Sequence, residues 1–185
     1  MNPGKNASQG DAEPVEVVDD HGHLLAVVSA SEVHRQSLPH RAALVLFFSR
    51  KGKLVLAKRP ADSPSYPGRF DLTAHAHIRP GEAAQDAAGR LAEASFPGLA
   101  GPLVFHRLLP PTQSTGFEAL TVFRCRLQGE PGHTADSRKP KTLEAFETLE
   151  IGSEELAALA VDFRELFAPE VIAAFEGGVL FGNKV

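Results

Sequence analysis

A strictly alternating segment, followed at once by a turn and a helical pattern, restricts the possible folds of this chain more than any other part of its sequence. In residues 70–78, "FDLTAHAHI", apolar and polar residues alternate, which is typical of a half-buried β-strand. "RPGE" then turns the chain, and "EAAQDAAGRLAEAS" predicts a helix that Phe96-Pro97-Gly98 ends. On the predicted strand, one face carries Phe70, Leu72, Ala74, Ala76 and Ile78, and the other carries Asp71, Thr73, His75 and His77.

The rest of the chain predicts hairpins and a few short helices. Asp20-His21-Gly22 and Arg50-Lys51-Gly52-Lys53 each lie between two β-rich runs, as hairpin turns do. Ser29 or Ser31 is the candidate N-cap of a short helix, and Ser153 that of a later one. Because strands outnumber helices and hairpins dominate, we predict an α/β (α+β) fold, with a mixed β-sheet sandwiched between helices.

Composition limits the domain organisation and the partners. The chain has 185 residues, and we predict a polar disordered tail over 1–13 and a single domain over 14–185. The net charge of −4 gives no basic field for nucleic acid, and no run reaches the roughly 20 apolar residues that span a bilayer. The single cysteine, Cys125, excludes an intrachain disulfide and fits a cytoplasmic protein, as does a polar N-terminus without a signal peptide.

Two histidines are the most informative candidates for chemistry. His75 and His77 are two residues apart on the predicted strand, so both imidazoles leave the same face. Two imidazoles that converge with a carboxylate suit zinc, iron or manganese better than magnesium alone. Half-buried, hydrogen-bonded histidines would give the same pattern. We expect these imidazoles at the mouth of a pocket beside the following helix.

The predicted helix carries a polar stripe. Glu82, Asp86 and Arg90 are spaced at i, i+4 and i+8, with Glu93 close by. An exposed pair of Asp86 with Arg90 would contribute only about 0.3–0.5 kcal/mol. The expected role of Arg90 is structural, in a pair with Asp86 or Glu82.

The segment "PGRFDLTAHAHIRPGEAAQDAAGRLAEAS" resembles a Nudix box and its lead-in. Glu82 and Arg90 fall in register with the glutamate and arginine of that motif. The box glutamates, which in active members bind the divalent ions that bridge a diphosphate, are replaced by non-ionisable residues: Leu91, Ala94 and Ser95. The resemblance implies the Nudix fold and, nominally, a metal-dependent hydrolase of a nucleoside or other organic diphosphate with weak or lost activity.

The resemblance extends to one branch of that superfamily. "HRAALVLFFSRKGKLVLAKR", "YPGRFDLT" and "FEALTVF" look like type I isopentenyl-diphosphate isomerases and their hydrolase-like bacterial relatives. The isomerase pattern implies metal ligands at His40, His77 and Glu118, and a phosphate contact at Arg59. Its catalytic cysteine corresponds to His75. Three other isomerase positions differ, since a ligand histidine corresponds to Val33, with His34 adjacent, a second glutamate to Gly116 and the helix carboxylate to Ser95.

These observations leave three hypotheses. The first is a hydrolase of a small-molecule diphosphate, the second a rewired isomerase-like enzyme with one metal on histidines, and the third a non-catalytic binding protein of the same fold. A divalent ion (Mg, Mn or Zn) is the expected cofactor of the first two. The candidate catalytic residues are Glu82 and His75. The candidate metal ligands are His40, His77 and Glu118, with His75 or His34 as a candidate further ligand.

Overall fold

The computed structural model describes residues 12–130 and 147–182. Most of the predicted tail and most of the charged loop after Gln128 lie outside the described residues. Four α-helices are described: α1 (Ala30–Gln36), α2 (Ala84–Ser95), α3 (Ser153–Asp162) and α4 (Pro169–Glu176). The described strands are β1 (Pro14–Val18), β2 (Leu24–Ser29), β3 (His40–Phe48), β4 (Leu54–Lys58), β5 (Phe70–Asp71), β6 (Ala74–His77), β7 (Ala100–Leu109), β8 (Glu118–Leu127) and β9 (Thr148–Ile151).

Strand β3 organises the sheet. It pairs in parallel with β8 from His40↔Glu118 to Phe48↔Arg126, and antiparallel with β6 over its first half. β1 joins at its start and β4 at its end, while β5 and β9 pair with β4, and β7 pairs with β8. The run "AALVLFF" explains this position, because a strand buried on both faces carries continuous apolar residues. The predicted mixed sheet is confirmed.

Two hydrophobic cores lie on opposite faces of this sheet. Alternate β3 residues such as Leu44 and Leu46 pack with Leu156 of α3 and Ile172 of α4. Their neighbours, such as Val45, pack instead with the buried alanines and leucine of α2. The sheet is therefore sandwiched between helices, as predicted. No helix within the described residues is both long and apolar enough to cross a membrane.

The alternating segment is two strands rather than one. β5 pairs with β4 and β6 pairs with β3, with a bend at Leu72 and Thr73 between them. The prediction of one apolar face was therefore wrong: Phe70 and Leu72 pack on the α3–α4 side, whereas Ala74 and Ile78 pack on the α2 side. The bend interrupts the period of two, so the faces exchange across it.

The predicted turns and caps are largely confirmed. Both hairpins form, and Gly22 and Gly52 take the left-handed φ values of +82° and +75° that their turns require. The Ser29 hydroxyl accepts a hydrogen bond from the Glu32 N–H and caps α1. Ser153 is not a cap. Gly152 occupies that position, and its N–H donates to the Glu155 carboxylate.

A buried glutamate fastens the N-terminal hairpin to the turn before α2. Glu16, which is 7% exposed, accepts hydrogen bonds from the Gly81 N–H at 2.7 Å and from Arg41 at 2.8 Å. The hydrogen bond from the Gly81 N–H lowers the pKa of this carboxyl. Burial acts in the opposite direction, and the Arg41 guanidinium lowers the pKa further. This contact fixes α1, which follows the hairpin, relative to β3 and the α2 turn.

Candidate functional site

Three imidazoles from three separate elements meet at one end of the sheet. His34 comes from α1, His40 is the first residue of β3, and His77 is the last residue of β6. One ring nitrogen of each lies within 4.8 Å of the other two. His34 and His77 approach most closely, with 3.2 Å between their Nε2 atoms. We call these three residues the histidine cluster.

The buried member of the cluster presents a free lone pair. His40 is 1% exposed, and its Nδ1 donates to the Leu38 carbonyl at 2.8 Å. In a neutral ring this places the proton on Nδ1 and leaves Nε2 unprotonated. That Nε2 is buried and has no hydrogen-bond partner among the described residues. Burial lowers the pKa of His40, which keeps the ring neutral.

His77 is held between the cluster and a carboxylate. Its Nε2 faces His34, and its Nδ1 lies 3.6 Å from Glu13 Oε2. Burial is the main cause that lowers the pKa of His77. Glu13 was predicted to lie in the tail, but its carbonyl accepts a hydrogen bond from the Ala30 N–H. Glu13 therefore places a carboxylate beside the cluster.

Glu118 connects the cluster to a fourth histidine. It stands beside His40 in the parallel β3–β8 pair, with its Oε1 3.9 Å from His40 Nε2. Its Oε2 lies 2.6 Å from Nε2 of His75, whose side chain is 45% exposed. Burial lowers the pKa of His75, but the hydrogen bond to Glu118, helped by nearby carboxylates, outweighs it and raises the pKa overall.

The donor set fits a divalent transition metal. Three imidazole nitrogens and a nearby carboxylate are ligands that zinc and manganese accept, whereas magnesium prefers an all-oxygen shell. The unsatisfied Nε2 of His40 is the strongest single sign, because a buried acceptor without a partner costs about 1–3 kcal/mol unless something binds it. The structure brings together His40, His77 and Glu118 and adds His34. Their role as metal ligands stays a prediction.

The arginine of the box-like helix has a structural contact. Arg90 donates from Nε to Glu82 Oε1 at 3.0 Å and from Nη2 to Oε2 at 2.8 Å. Glu82 also accepts a hydrogen bond from the Arg79 N–H. The Arg90 hydrogen bonds, opposed by partial burial, lower the pKa of Glu82 to about 2. Of the two predicted partners of Arg90, the structure selects Glu82. Asp86 is exposed, and no ion pair to it occurs among the described residues.

A cavity of about 570 Å³ lies beside the second half of α2. We call it the α2 cavity. The residues that line it are Ala57, Lys58, Arg59, Pro60, Ser63, Asp71, Leu72, Thr73, Leu91, Ala94, Ser95, Phe96 and Thr148. Arg59 lies here, as a phosphate contact would, but its Nε donates to Asp71 and its Nη1 to Ser65.

The expected position of the imidazoles beside α2 was wrong. None of the described residues that line the α2 cavity is a histidine. His75 and His77 leave β6 beside Leu44 and Ala42, on the face that packs against α3 and α4, whereas α2 covers the other face. The reason is that side chains alternate between the two faces of a β-strand. Ala74 and Ala76 face α2, so the neighbouring His75 and His77 face the opposite side.

Sequence reasoning missed part of this arrangement. Glu13 gave no signal because it lies in a polar, featureless stretch. Thr73, which lines the α2 cavity, gave no signal either, because a single threonine in a strand pattern is ordinary. His34 stood only as an alternative, one residue from the matching family position, and its place in α1 had to be seen before its ring could be put beside His77.

Comparison with known proteins identifies relatives in sequence. No family model matches the chain. An isopentenyl-diphosphate Delta-isomerase 2 of Photorhabdus laumondii is 30% identical over 121 residues, which cover 62% of this chain and 67% of the relative. An isopentenyl-diphosphate Delta-isomerase of Nocardia farcinica is 38% identical over 82 residues, covering 43% and 47%. An uncharacterized Nudix hydrolase of Yersinia pestis is 32% identical over 89 residues, covering 48% of each.

The chain spans about half the length of most of these curated relatives. In structure it is similar to protein DR0079 of Deinococcus radiodurans, which is described as a hypothetical Nudix protein. The TM-score is 0.66 at 16% identity, with 89% of this chain and 98% of the other covered. This likeness confirms the predicted fold. With a relative of 30% identity matched over two thirds of its length, the chain belongs to the Nudix superfamily, in the branch that contains the isopentenyl-diphosphate isomerases.

Proposed function

We propose that this protein is a metal-dependent enzyme of the Nudix superfamily whose working centre is the histidine cluster and not the box helix. The observation that carries the proposal is the convergence of three ring nitrogens within 4.8 Å, beside the carboxylate of Glu118. Converging imidazoles with one buried, unpaired nitrogen are costly to maintain unless an ion binds them.

The box helix lacks the carboxylates with which the box motif of the family holds its ions. Leu91 is buried, and Ala94 and Ser95 carry no charge. Glu82 is engaged by Arg90, and the carboxylate of Glu93 accepts the Gly98 N–H. A diphosphate bound beside α2 would therefore lack the cations that neutralise its developing charge during hydrolysis.

At the histidine cluster the residues supply binding and proton transfer. His34, His40 and His77 would hold the ion, with Glu118 adjacent. The ion would act as a Lewis acid. His75 Nε2 and Glu118 Oε2 share a hydrogen bond in which His75 donates when it carries the proton. Because the hydrogen bond to Glu118 raises the pKa of His75, His75 is the candidate proton donor to a bound substrate.

A metal-content measurement tests the proposal. Protein purified without chelator and then dialysed against zinc or manganese is expected to hold about one ion per chain. His77→Ala should lose that ion, since His77 supplies one of the three converging ring nitrogens. His21→Ala, a change of an exposed histidine in the β1–β2 turn, is the matched control. Equal metal content in all three proteins would remove the proposal.

A second candidate is weak hydrolysis of a small organic diphosphate beside α2. The relatives named as isopentenyl-diphosphate isomerases favour this substrate class, and Arg59 lines the α2 cavity. We expect little phosphate release from a panel of diphosphates with magnesium or manganese. Ser95→Glu combined with Ala94→Glu should raise it, because two carboxylates on adjacent helix residues restore ligands for magnesium. Brisk turnover by the unaltered protein, lost in Glu93→Gln but not in His77→Ala, would favour this candidate over the first.

A further inference from the structure

We infer that the α2 cavity is a binding site for an uncharged organic ligand with an apolar body and a hydrogen-bonding group. The inference goes beyond the proposed function, because it concerns a site on the α2 side of the sheet and needs no metal ion. Its volume of about 570 Å³ lies within the range that holds small organic ligands.

The walls of the cavity are mainly apolar and carry hydroxyl groups at a few points. The apolar lining residues are Ala57, Pro60, Leu72, Leu91, Ala94 and Phe96. The hydroxyl-bearing ones are Ser63, Thr73, Ser95 and Thr148. All three α2 residues among them are non-ionisable, at positions where the box pattern of the family has an ionisable side chain. The helix therefore offers contact area and one hydroxyl, without charge.

The charges at the cavity are already neutralised in pairs. Arg59 Nε donates to Asp71 Oδ2 at 2.8 Å, and these side chains are 28% and 14% exposed. Lys58 Nζ donates to Glu147 at 2.7 Å. An anionic ligand would meet the Asp71 carboxylate and would have to break one of these pairs to gain a counter-ion. Because burying an unpaired charge is costly, this arrangement selects against phosphates.

One polar group in the wall has no partner. Thr73 Oγ1 is buried and makes no hydrogen bond among the described residues, although Thr73 lines the cavity. The Ser95 hydroxyl donates a hydrogen bond to the Thr73 carbonyl at 3.4 Å, which places Ser95 of α2 against the backbone of Thr73. A buried hydroxyl can donate one hydrogen bond and accept two. A ligand hydroxyl or carbonyl next to Thr73 would satisfy it, which an apolar molecule alone would not.

A matched pair of probes tests the inference. Binding of 4-propylphenol and of 4-propylphenyl phosphate is measured by isothermal titration and by amide chemical shifts, with and without magnesium. The phenol is expected to bind at least about tenfold more tightly than its phosphate, which corresponds to about 1.4 kcal/mol. Amide shifts should concentrate at Thr73 and in the second half of α2. The phosphate arm without magnesium separates a simple anion site from a metal–diphosphate site.

Filling the cavity provides the specificity control. Ala94→Phe places a ring in the cavity from an exposed helix position and is expected to weaken phenol binding at least about tenfold. Gln85→Phe puts the same ring on the exposed part of the same helix and should leave binding unchanged. Thr73→Val keeps the shape of the side chain and removes its hydroxyl. It should weaken the binding of the phenol more than the binding of propylbenzene.

Every outcome decides the matter. Tighter binding of the phosphate, with or without magnesium, would overturn the inference, as would the absence of phenol binding or equal binding by Ala94→Phe. Repeating the titration with His77→Ala separates the two proposals. The His77→Ala variant should still bind the phenol although it no longer holds the metal. A failure of one proposal therefore does not affect the test of the other.

Discussion

Arg90 donates to Glu82 from two nitrogens and so ties the turn before α2 to the middle of the helix. The Arg90 side chain is 28% exposed and that of Glu82 is 16% exposed, so solvent screens this pair less than a surface pair. Both residues match the box motif, yet their contact is with each other. This chain thus keeps the Glu82–Arg90 ion pair of the motif but lacks the two glutamates that Ala94 and Ser95 replace.

We expect Glu82→Gln to lower the free energy of unfolding by about 1–3 kcal/mol, because it leaves a partly buried guanidinium without its counter-ion. Urea denaturation measures the change. Asp86→Asn, four residues further along, is the matched control and should stay within about 0.5 kcal/mol of the unaltered protein. Equal losses in the two variants would contradict a special role for the Glu82–Arg90 pair.

The same pair predicts a pH dependence. The folded-state pKa of Glu82 is lowered from 4.5 to about 2, so the pair contributes its full stability above 4.5. That contribution is lost as the pH falls from 4.5 through about 2. Urea curves of the unaltered protein and of Glu82→Gln should therefore converge over this interval. A constant difference between the two proteins across the interval would count against the assignment.

At the scale of elements, α1 is the least secured support of the histidine cluster. It has only seven residues, and its N-terminus depends on the Ser29 hydroxyl. A helix this short is not stable by itself, so capping and packing against β1 decide whether His34 reaches His77. The site thus depends on a local cap outside its own ligand set.

We expect Ser29→Ala to cost about 1 kcal/mol and, if that loss falls on α1, to weaken zinc binding about fivefold. Competition with a chromophoric chelator measures the affinity. Ser29→Asp, which also caps, should restore most of it. Ser31→Ala tests the other candidate cap and should have the smaller effect. A fully retained affinity in Ser29→Ala would show that α1 is held by packing alone.

At the scale of the whole molecule, the sheet separates two regions with different chemistry. The histidine cluster draws on α1, β3 and β6 on the side of α3 and α4, while the α2 cavity lies where the chain bends between β5 and β6. Residues 72 and 73 link the two regions along the chain, because β6, which carries His77 of the cluster, begins directly after them. An ion in the cluster would join three elements that are otherwise far apart in the chain.

Zinc or manganese should therefore raise the unfolding temperature of the whole domain. A ligand that binds only the folded state at 100 times its Kd adds about 2.7 kcal/mol. The shift should appear in the unaltered protein, disappear with chelator and be absent in His77→Ala. His21→Ala serves again as the control. An equal shift in His77→Ala would mean that the metal binds elsewhere.

Local patterns in the sequence suffice to predict the kinds of elements, and sequence similarity predicts the family. The apolar run of β3, the glycine turns and the helical spacing of α2 depend on local periodicity and backbone preference, which neighbouring residues fix. The resemblance also predicted that His40, His77 and Glu118 belong to one site. It did so through matched positions, whereas spacing alone gave only the shared face of His75 and His77.

Which side chains come into contact depends on the packing of distant elements and could not be predicted from the sequence. The bend at Leu72 and Thr73 exchanged the faces of the alternating segment, because its first half pairs with β4 and its second half with β3. The choice of Glu82 over Asp86 by Arg90 depended on how the turn folds back on the helix. The approach of His34 to His77, 43 residues apart, depended on packing between distant elements, which no local pattern records.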